Sequence, residues 1–375
     1  MKSKKEFFAA AFTLTGTIIG AGILGLPYVF SQSGFLIGAF WLIALGLIMI
    51  FVNLCMGEVA LRTKMIHQLP GYAEKYLGKT GKNIMFFAVL FGIYSALLAY
   101  LIGEGQSLSK LIFGTLNYSL YFAIAFWISM SLLLREGLKG LKRVELYGVM
   151  VIVVMVLSIF LWFIPSINLT NLNTYDLSNI FLPFGIILMA LLGFTSVPEL
   201  RREIKGKEKL LKKAIIVGSL IPIILYFIFT LVFVGVLGKE IEQVATISFG
   251  WFVTLLGIFT MLTSYFVLSF ALRDIFIFDL HKRNSKLRKW NFIFVSVIPL
   301  ILYLLVIFFD LADFAKVLAV GGVVSGGLTG ILILLMNIKS KKEGKRKPEF
   351  TVPINWIIIG ILSLIFIAGI FVELF

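Results

Sequence analysis

Eleven stretches of this chain are nearly unbroken runs of apolar residues, each long enough to cross about 30 Å of hydrocarbon as a helix. They lie at roughly 7–30, 34–61, 83–103, 117–134, 144–164, 179–198, 213–237, 247–272, 291–309, 313–338 and 353–372. Polar residues collect in the short connections between them. No connection is a Ser-, Pro- or charge-rich linker long enough to separate domains, so residues 1–375 read as one domain. The first run has no small-residue cleavage site and passes straight into Gly- and Pro-containing sequence, so it is predicted to be retained. Between Arg62 and Lys82, Leu69-Pro70-Gly71-Tyr72 opens an amphipathic stretch predicted to lie as a helix in the membrane interface.

Composition agrees with lipid as the main solvent. Apolar residues make up 60% of the chain and charged ones 14%, against about 25% charged in a soluble domain. Mean hydropathy is +1.03. The net charge of +15 would suggest nucleic acid in a soluble protein, but its distribution points elsewhere. If successive runs cross in alternate directions, all of the 34 Lys and Arg except Lys110, Lys239 and Lys316 fall on one side. Such asymmetry marks the cytoplasmic face and collapses if one span is added or dropped. The expected topology is therefore eleven spans with the N-terminus inside and the C-terminus outside. The charges are read as topology determinants that touch lipid headgroups, with no nucleic-acid partner. The connection from Pro165 to Asn179 is Asn-rich and free of Lys and Arg, as an outer loop should be. Cys55 is the only cysteine, which excludes an intrachain disulfide and a cysteine metal cluster.

Two runs are unsuited to continuous winding. The first contains Thr15-Gly16-Thr17-Ile18-Ile19-Gly20-Ala21-Gly22-Ile23-Leu24-Gly25-Leu26-Pro27, and the sixth contains Leu192-Gly193-Phe194-Thr195-Ser196-Val197-Pro198. Small residues at these positions also suit close helix packing, but two interruptions five crossings apart imply more. Five is odd, so a unit of five spans begins on opposite sides in its two copies, giving a 5+5 inverted repeat over about 7–164 and 179–338 with an extra helix at 353–372. Broken spans at matching positions of two inverted halves mark a transporter binding site near the bilayer midplane. Half-helix N-termini suit a carboxylate, and freed carbonyls suit an ammonium group or a small cation.

These residues resemble the amino acid/auxin permease family, including its bacterial aromatic amino-acid permeases, within the amino acid-polyamine-organocation superfamily that shares the leucine-transporter fold. The run from Gly16 to Pro27 carries most of the resemblance. Met56-Gly57-Glu58, Ala99-Tyr100 with Gly103-Glu104, Gly193-Phe194 and Leu262-Thr263-Ser264 add to it in order. The resemblance implies that the N–H groups of Ala21 and Gly22, with the Tyr100 hydroxyl, meet a substrate carboxylate. It gives the ammonium group to the Ile18 carbonyl and to carbonyls from Met189 to Gly193, and has Phe194 close the pocket. Gly20, Leu192, Thr195 and Ser196 complete the substrate set. It further implies a sodium site from the carbonyls of Gly16, Ile19 and Thr260 with the hydroxyls of Thr263 and Ser264. Those hydroxyls have a second reading, hydrogen bonds to their own helix.

Coupling is open between sodium and protons. The fifth run has no Lys or Arg in its middle, which favours sodium, whereas Glu58 and Glu104 are carboxylates that could titrate within the membrane. Glu58 is alternatively a structural partner for the broken first span, and Glu104, near an outer end, is alternatively hydrated. His67 and His281 lie in basic loops and read as surface residues. Gly321, Gly322, Gly326 and Gly327 read as close-packing positions. Arg273 and Asp274 are either an inner gate, with the N-terminal lysines or the loop after the sixth span, or an interfacial ion pair. No cofactor is expected beyond a coupling ion. The function expected is cation-coupled symport of a neutral amino acid, aromatic or branched. The alternatives are an amino-acid sensor without transport and an ion channel, which would need a continuous polar lining that no run offers.

Overall fold

The computed structural model describes residues 2–20, 22–136, 141–275 and 293–374. Within these the regular structure is entirely helical. The apolar runs are helical because lipid offers no hydrogen bonds, so each segment must satisfy its own backbone. In chain order the α-helices are α1 (Lys2–Ile18), α2 (Gly22–Ser33), α3 (Phe35–Arg62), α4 (Leu69–Phe113), α5 (Ser119–Glu136), α6 (Leu141–Phe163), α7 (Leu169–Leu172) and α8 (Leu182–Ala190). Then follow α9 (Val197–Glu203), α10 (Leu211–Leu237), α11 (Trp251–Ile275), α12 (Ile298–Phe308), α13 (Phe314–Gly321), α14 (Gly327–Glu343) and α15 (Trp356–Leu374). Among the described residues, six helical segments are long and apolar enough to cross a membrane, or seven if α1 and α2 form one span.

Both expected interruptions are present. α1 and α2 meet at 57° across residues 19–21. α8 and α9 are separated by residues 191–196, and Pro198 sits in the first turn of α9, where its missing N–H costs nothing. α10 packs against α1, α2 and α3, while α4 packs against α5, α11, α13 and α14. The breaks lie between these two groups. Outward-facing apolar side chains such as Trp162 and Leu47, 81% and 63% exposed, suit a lipid surround. The amphipathic stretch after Arg62 is helical and is set off from the rest of α4 at Gly78, whose φ of 75° puts it in the left-handed region.

Backbone and polar bonds tie both ends of the bundle. At one end the Asn-rich connection is stitched down: Asp176 N–H donates to Ser33 O at 2.8 Å, and Asn168 N–H to Gly235 O at 2.9 Å. In the same connection the Ser178 hydroxyl and N–H donate to the Asp176 carboxylate, holding it below the usual carboxylate range. At the other end Glu58, completely buried, accepts from Arg62 Nε at 2.8 Å, Asn337 Nδ2 at 3.1 Å and Val352 N–H at 2.8 Å. The expectation that Glu58 partners the broken first span is therefore corrected: its hydrogen bonds fasten α3 to α14 and to the segment before α15. Arg201 of α9 donates to the carbonyls of Ala60 and Thr63 at the end of α3. Glu6 of α1 pairs with Lys207, and the Thr13 hydroxyl donates to Glu203 at 3.2 Å.

The four glycines read as packing positions pack closely. A Cβ on Gly321 would strike Ser95, on Gly322 the Gly185 carbonyl, on Gly326 Leu188 and on Gly327 Ile370. Residues 322–326 form a π-helical turn, a local widening that the glycine pattern did not disclose.

Replacing Glu58 with Ala would leave the buried N–H of Val352 and the Arg62 guanidinium without their acceptor, and the Asn337 amide with the Cys55 carbonyl alone. A loss of about 3 kcal/mol is expected, read as a lowered midpoint of thermal unfolding in detergent. An unchanged midpoint would show that this network does not hold the inner ends together.

Candidate functional site

The site is built where the helical ladders stop. α1 ends at Ile18 and α8 at Ala190, so the last carbonyls of both lack a following turn to accept from. The two breaks lie against one another. A Cβ on Gly22 would collide with the Ala190 backbone, and one on Gly193 would meet Ile18 Cγ1 at 2.7 Å and Leu14 Cδ1 at 2.9 Å. Glycine is required here by close approach. Tyr226, fully buried on α10, donates its hydroxyl to Ile18 O at 2.8 Å and to Ala190 O at 3.0 Å. The N–H of Gly22, at the first position of α2, makes no backbone hydrogen bond among the described residues, and neither do those of Phe194 and Thr195.

Two cavities adjoin the breaks. The first, about 100 Å³, is lined by Ile18, Gly20, Gly22, Tyr100, Met189, Leu192, Phe194 and Thr195 from the expected substrate set. Its remaining wall is Thr17, Val89, Gly92, Ile93, Ala96, Leu268, Leu318 and Ser325, with no charged side chain among the described residues. Gly193 and Ser196 belong to the break but do not line the cavity, because Gly193 packs on Ile18 and the Ser196 hydroxyl donates to Gly193 O at 2.9 Å. Ala21 lies outside the described residues.

The second cavity, about 80 Å³, is bordered by Gly16, Ile19, Thr263 and Ser264 of the expected ion set. Thr17, Gly20, Tyr100 and Leu268 border both cavities. Thr260 is buried behind the wall and does not border the ion cavity. Its hydroxyl donates to Leu256 O at 2.8 Å, and its carbonyl accepts from Thr263 Oγ1 at 3.1 Å. The Thr263 hydroxyl also lies 2.9 Å from Phe259 O, so its proton is directed at its own helix.

Glu104 stands one turn beyond Tyr100 on α4 and is completely buried, which corrects the hydrated reading. Neither of its carboxyl oxygens has a hydrogen-bond partner among the described residues. Arg273 lays its guanidinium 4.3 Å from the centre of the Phe270 ring, while the Asp274 side chain and His281 lie outside the described residues. Among the described residues, Glu6 with Lys207 and Thr13 with Glu203 join α1 to the segment after the sixth run. His67 is partly buried beside Tyr72, and burial with Lys75 nearby lowers its pKa from the ordinary imidazole value.

Sequence reading did not find Tyr226 or the π-helical turn that brings Ser325 to the first cavity. Tyr226 shares its apolar run with two other hydroxyl residues, Ser219 and Thr230, and carries no signal of its own; for Ser325 the signal is the flanking glycine pairs.

Known proteins share this sequence pattern. Over 361 residues the chain is 27% identical to glutamine transporter 2 of Aliivibrio fischeri, covering 90% of each protein. It is 28% identical over 246 residues to tyrosine-specific transport system 2 of Haemophilus influenzae, covering 63% of this chain and 60% of that protein. With the low affinity tryptophan permease of Escherichia coli O157:H7 it shares 24% identity over 258 residues, 64% of this chain and 60% of the permease. These relatives are named as transport proteins, which points to a transporter and not an enzyme. The family model for tryptophan/tyrosine permeases matches residues 3–250, well over half the chain. With helices interrupted between α1 and α2 and between α8 and α9 beside one cavity, and with this match, the chain belongs to the tryptophan/tyrosine permease family.

Proposed function

We propose that this protein is a symporter that carries a neutral amino acid across the cell membrane with a cation, by alternating access. The observation that carries the reading is the pair of interrupted helices facing an uncharged cavity, in a chain whose relatives are named for glutamine, tyrosine and tryptophan transport. Eleven crossings, an inverted 5+5 repeat of the leucine-transporter kind and a cytoplasmic N-terminus belong to this proposal. Helices at all eleven apolar runs, breaks in the first and sixth, and the distribution of Lys and Arg support them.

The substrate carboxylate would meet the Gly22 N–H at the positive end of α2 and the Tyr100 hydroxyl. Its ammonium group would take backbone carbonyls of the sixth-span break, from Met189 to Gly193. The Ile18 carbonyl, already engaged by Tyr226, would supply at most its second lone pair. Val89, Ile93, Phe194 and Leu268 leave an uncharged surface for the side chain, suited to an aromatic or branched residue. The coupling ion would be sodium, held by the carbonyls of Gly16 and Ile19 with the hydroxyls of Thr263 and Ser264. Oxygens without a carboxylate bind a hard cation weakly enough to release it. A second reading, proton coupling through Glu104, is favoured by that buried carboxyl group having no hydrogen-bond partner among the described residues. One charge entering at about 100 mV yields roughly 2.3 kcal/mol, enough for about fifty-fold accumulation.

Uptake of labelled glutamine, tyrosine, tryptophan and leucine into proteoliposomes, under separate sodium and proton gradients, tests the whole reading. One gradient is expected to drive accumulation of at least one of them; fluxes indifferent to both gradients would remove symport. Under sodium coupling, Thr263→Ala combined with Ser264→Ala is expected to weaken sodium stimulation by about tenfold or more. Under proton coupling, Glu104→Gln is expected to abolish the response to the proton gradient and leave exchange across the membrane. Substituting Gly22 would test packing, because its added Cβ meets the Ala190 backbone. The carboxylate assignment is better tested with the substrate's amide, which is expected to compete roughly a hundredfold less well than the acid; equal competition contradicts it.

A further inference from the structure

We propose that Tyr226 is a positioning residue that makes the two breaks move as one body, so that an ion at the second cavity is felt at the first. The proposal rests on the symport reading given above. The Tyr226 hydroxyl is the sole donor among the described residues to the carbonyls of Ile18 and Ala190. These are the last helical residues of α1 and α8, where carbonyl dipoles leave partial negative charge. Two such ends brought together repel. A single phenolic proton shared between them attracts both, and only while both stay in place.

Tyr226 borders neither cavity. It acts through the backbone it holds. α1 presents Gly16 to the ion cavity and Ile18 to the amino-acid cavity, and α8 presents Met189 to the amino-acid cavity. An ion that draws in the end of α1 therefore also sets Met189 and the chain that follows it, through the shared hydroxyl. Buried Leu225 and Phe229 stand near Tyr226 in α10, and Tyr226 is itself fully enclosed, so water has no room to take over the hydroxyl's bonds. Without it, two buried carbonyls would lose their donor and the two half-helices their common tie.

Tyr226→Phe keeps the ring and removes only the hydroxyl. The first measurement is the distance distribution between spin labels on Phe8→Cys in α1 and Phe181→Cys beside α8, both exposed positions, in a Cys55→Ala background. A single narrow distribution is expected with Tyr226 and a broadened one with Phe. The second is amino-acid affinity with and without the coupling cation. The cation is expected to raise affinity by about tenfold in the parent and less than about twofold in the variant. A variant matching the parent in both measurements overturns the proposal. If the Phe variant does not fold, 3-fluorotyrosine at position 226 makes a more acidic donor of nearly the same shape; it is expected to narrow the distribution and enlarge the cation effect, and no change in either overturns the proposal. Absence of amino-acid uptake by the parent would remove the symport reading, while the distance measurement would still decide whether the hydroxyl ties the helices.

Discussion

In a bilayer each peptide N–H and C=O must find a partner inside the protein, and this chain fails to do so by winding alone in two places. The cost, several kcal/mol for each unmatched group in lipid, accounts for where those places lie. Both are inside the bundle, with Ile19 3% and Phe194 1% exposed, and each covers the other. α10 supplies the hydroxyl that the ends of α1 and α8 need. The backbone groups left over border a cavity and are available to a solute with matching charges at its two ends.

Close approach makes that arrangement feasible. At Gly22 and Gly193 the neighbouring helix occupies the space of a Cβ, and at Gly322 a carbonyl of α8 does. None of these glycines has a positive φ; among the described residues that conformation falls elsewhere, at Gly34, Gly78, Gly114, Gly206, Gly238, Gly250 and Asp310. Glycine at the breaks therefore serves packing, and it is packing that lets two interrupted backbones stand side by side without side chains between them.

What could be read from the sequence followed from repetition along the chain. The helices were legible because each is a run of apolar residues, and the two breaks because Gly16 to Pro27 and Leu192 to Pro198 interrupt such runs at matching places. Most of the residues expected at each cavity border it, because they cluster at the two interruptions and on the helices α4 and α11 beside them. Partnerships across the bundle were not legible. Tyr226 is one of three hydroxyl residues in its apolar stretch, with Ser219 and Thr230, and nothing local to it says that two helix ends converge on it. Glu58 was assigned to the wrong neighbour for the same reason: Asn337 and Val352 are 279 and 294 residues away. Glu104 lies near the end of its apolar run, but α4 continues to Phe113, so the carboxyl group is covered where the run length suggested water.

The two readings of the hydroxyls beside the second cavity turn out to be compatible. Thr263 directs its proton at the carbonyls of Phe259 and Thr260, and a hydroxyl that donates still has lone pairs to offer. Donation to its own helix fixes the oxygen's orientation, so the bond that first looks like an alternative to ion binding is one way to prepare for it. Thr260 would then contribute from behind the wall, by accepting the hydrogen bond that orients Thr263. Thr17, Gly20, Tyr100 and Leu268 border both cavities, so occupants of the two would lie close together. A cation and a carboxylate so placed would attract across a medium that screens them poorly, which would give the proposed coupling a direct electrostatic route beside the proposed mechanical one through Tyr226.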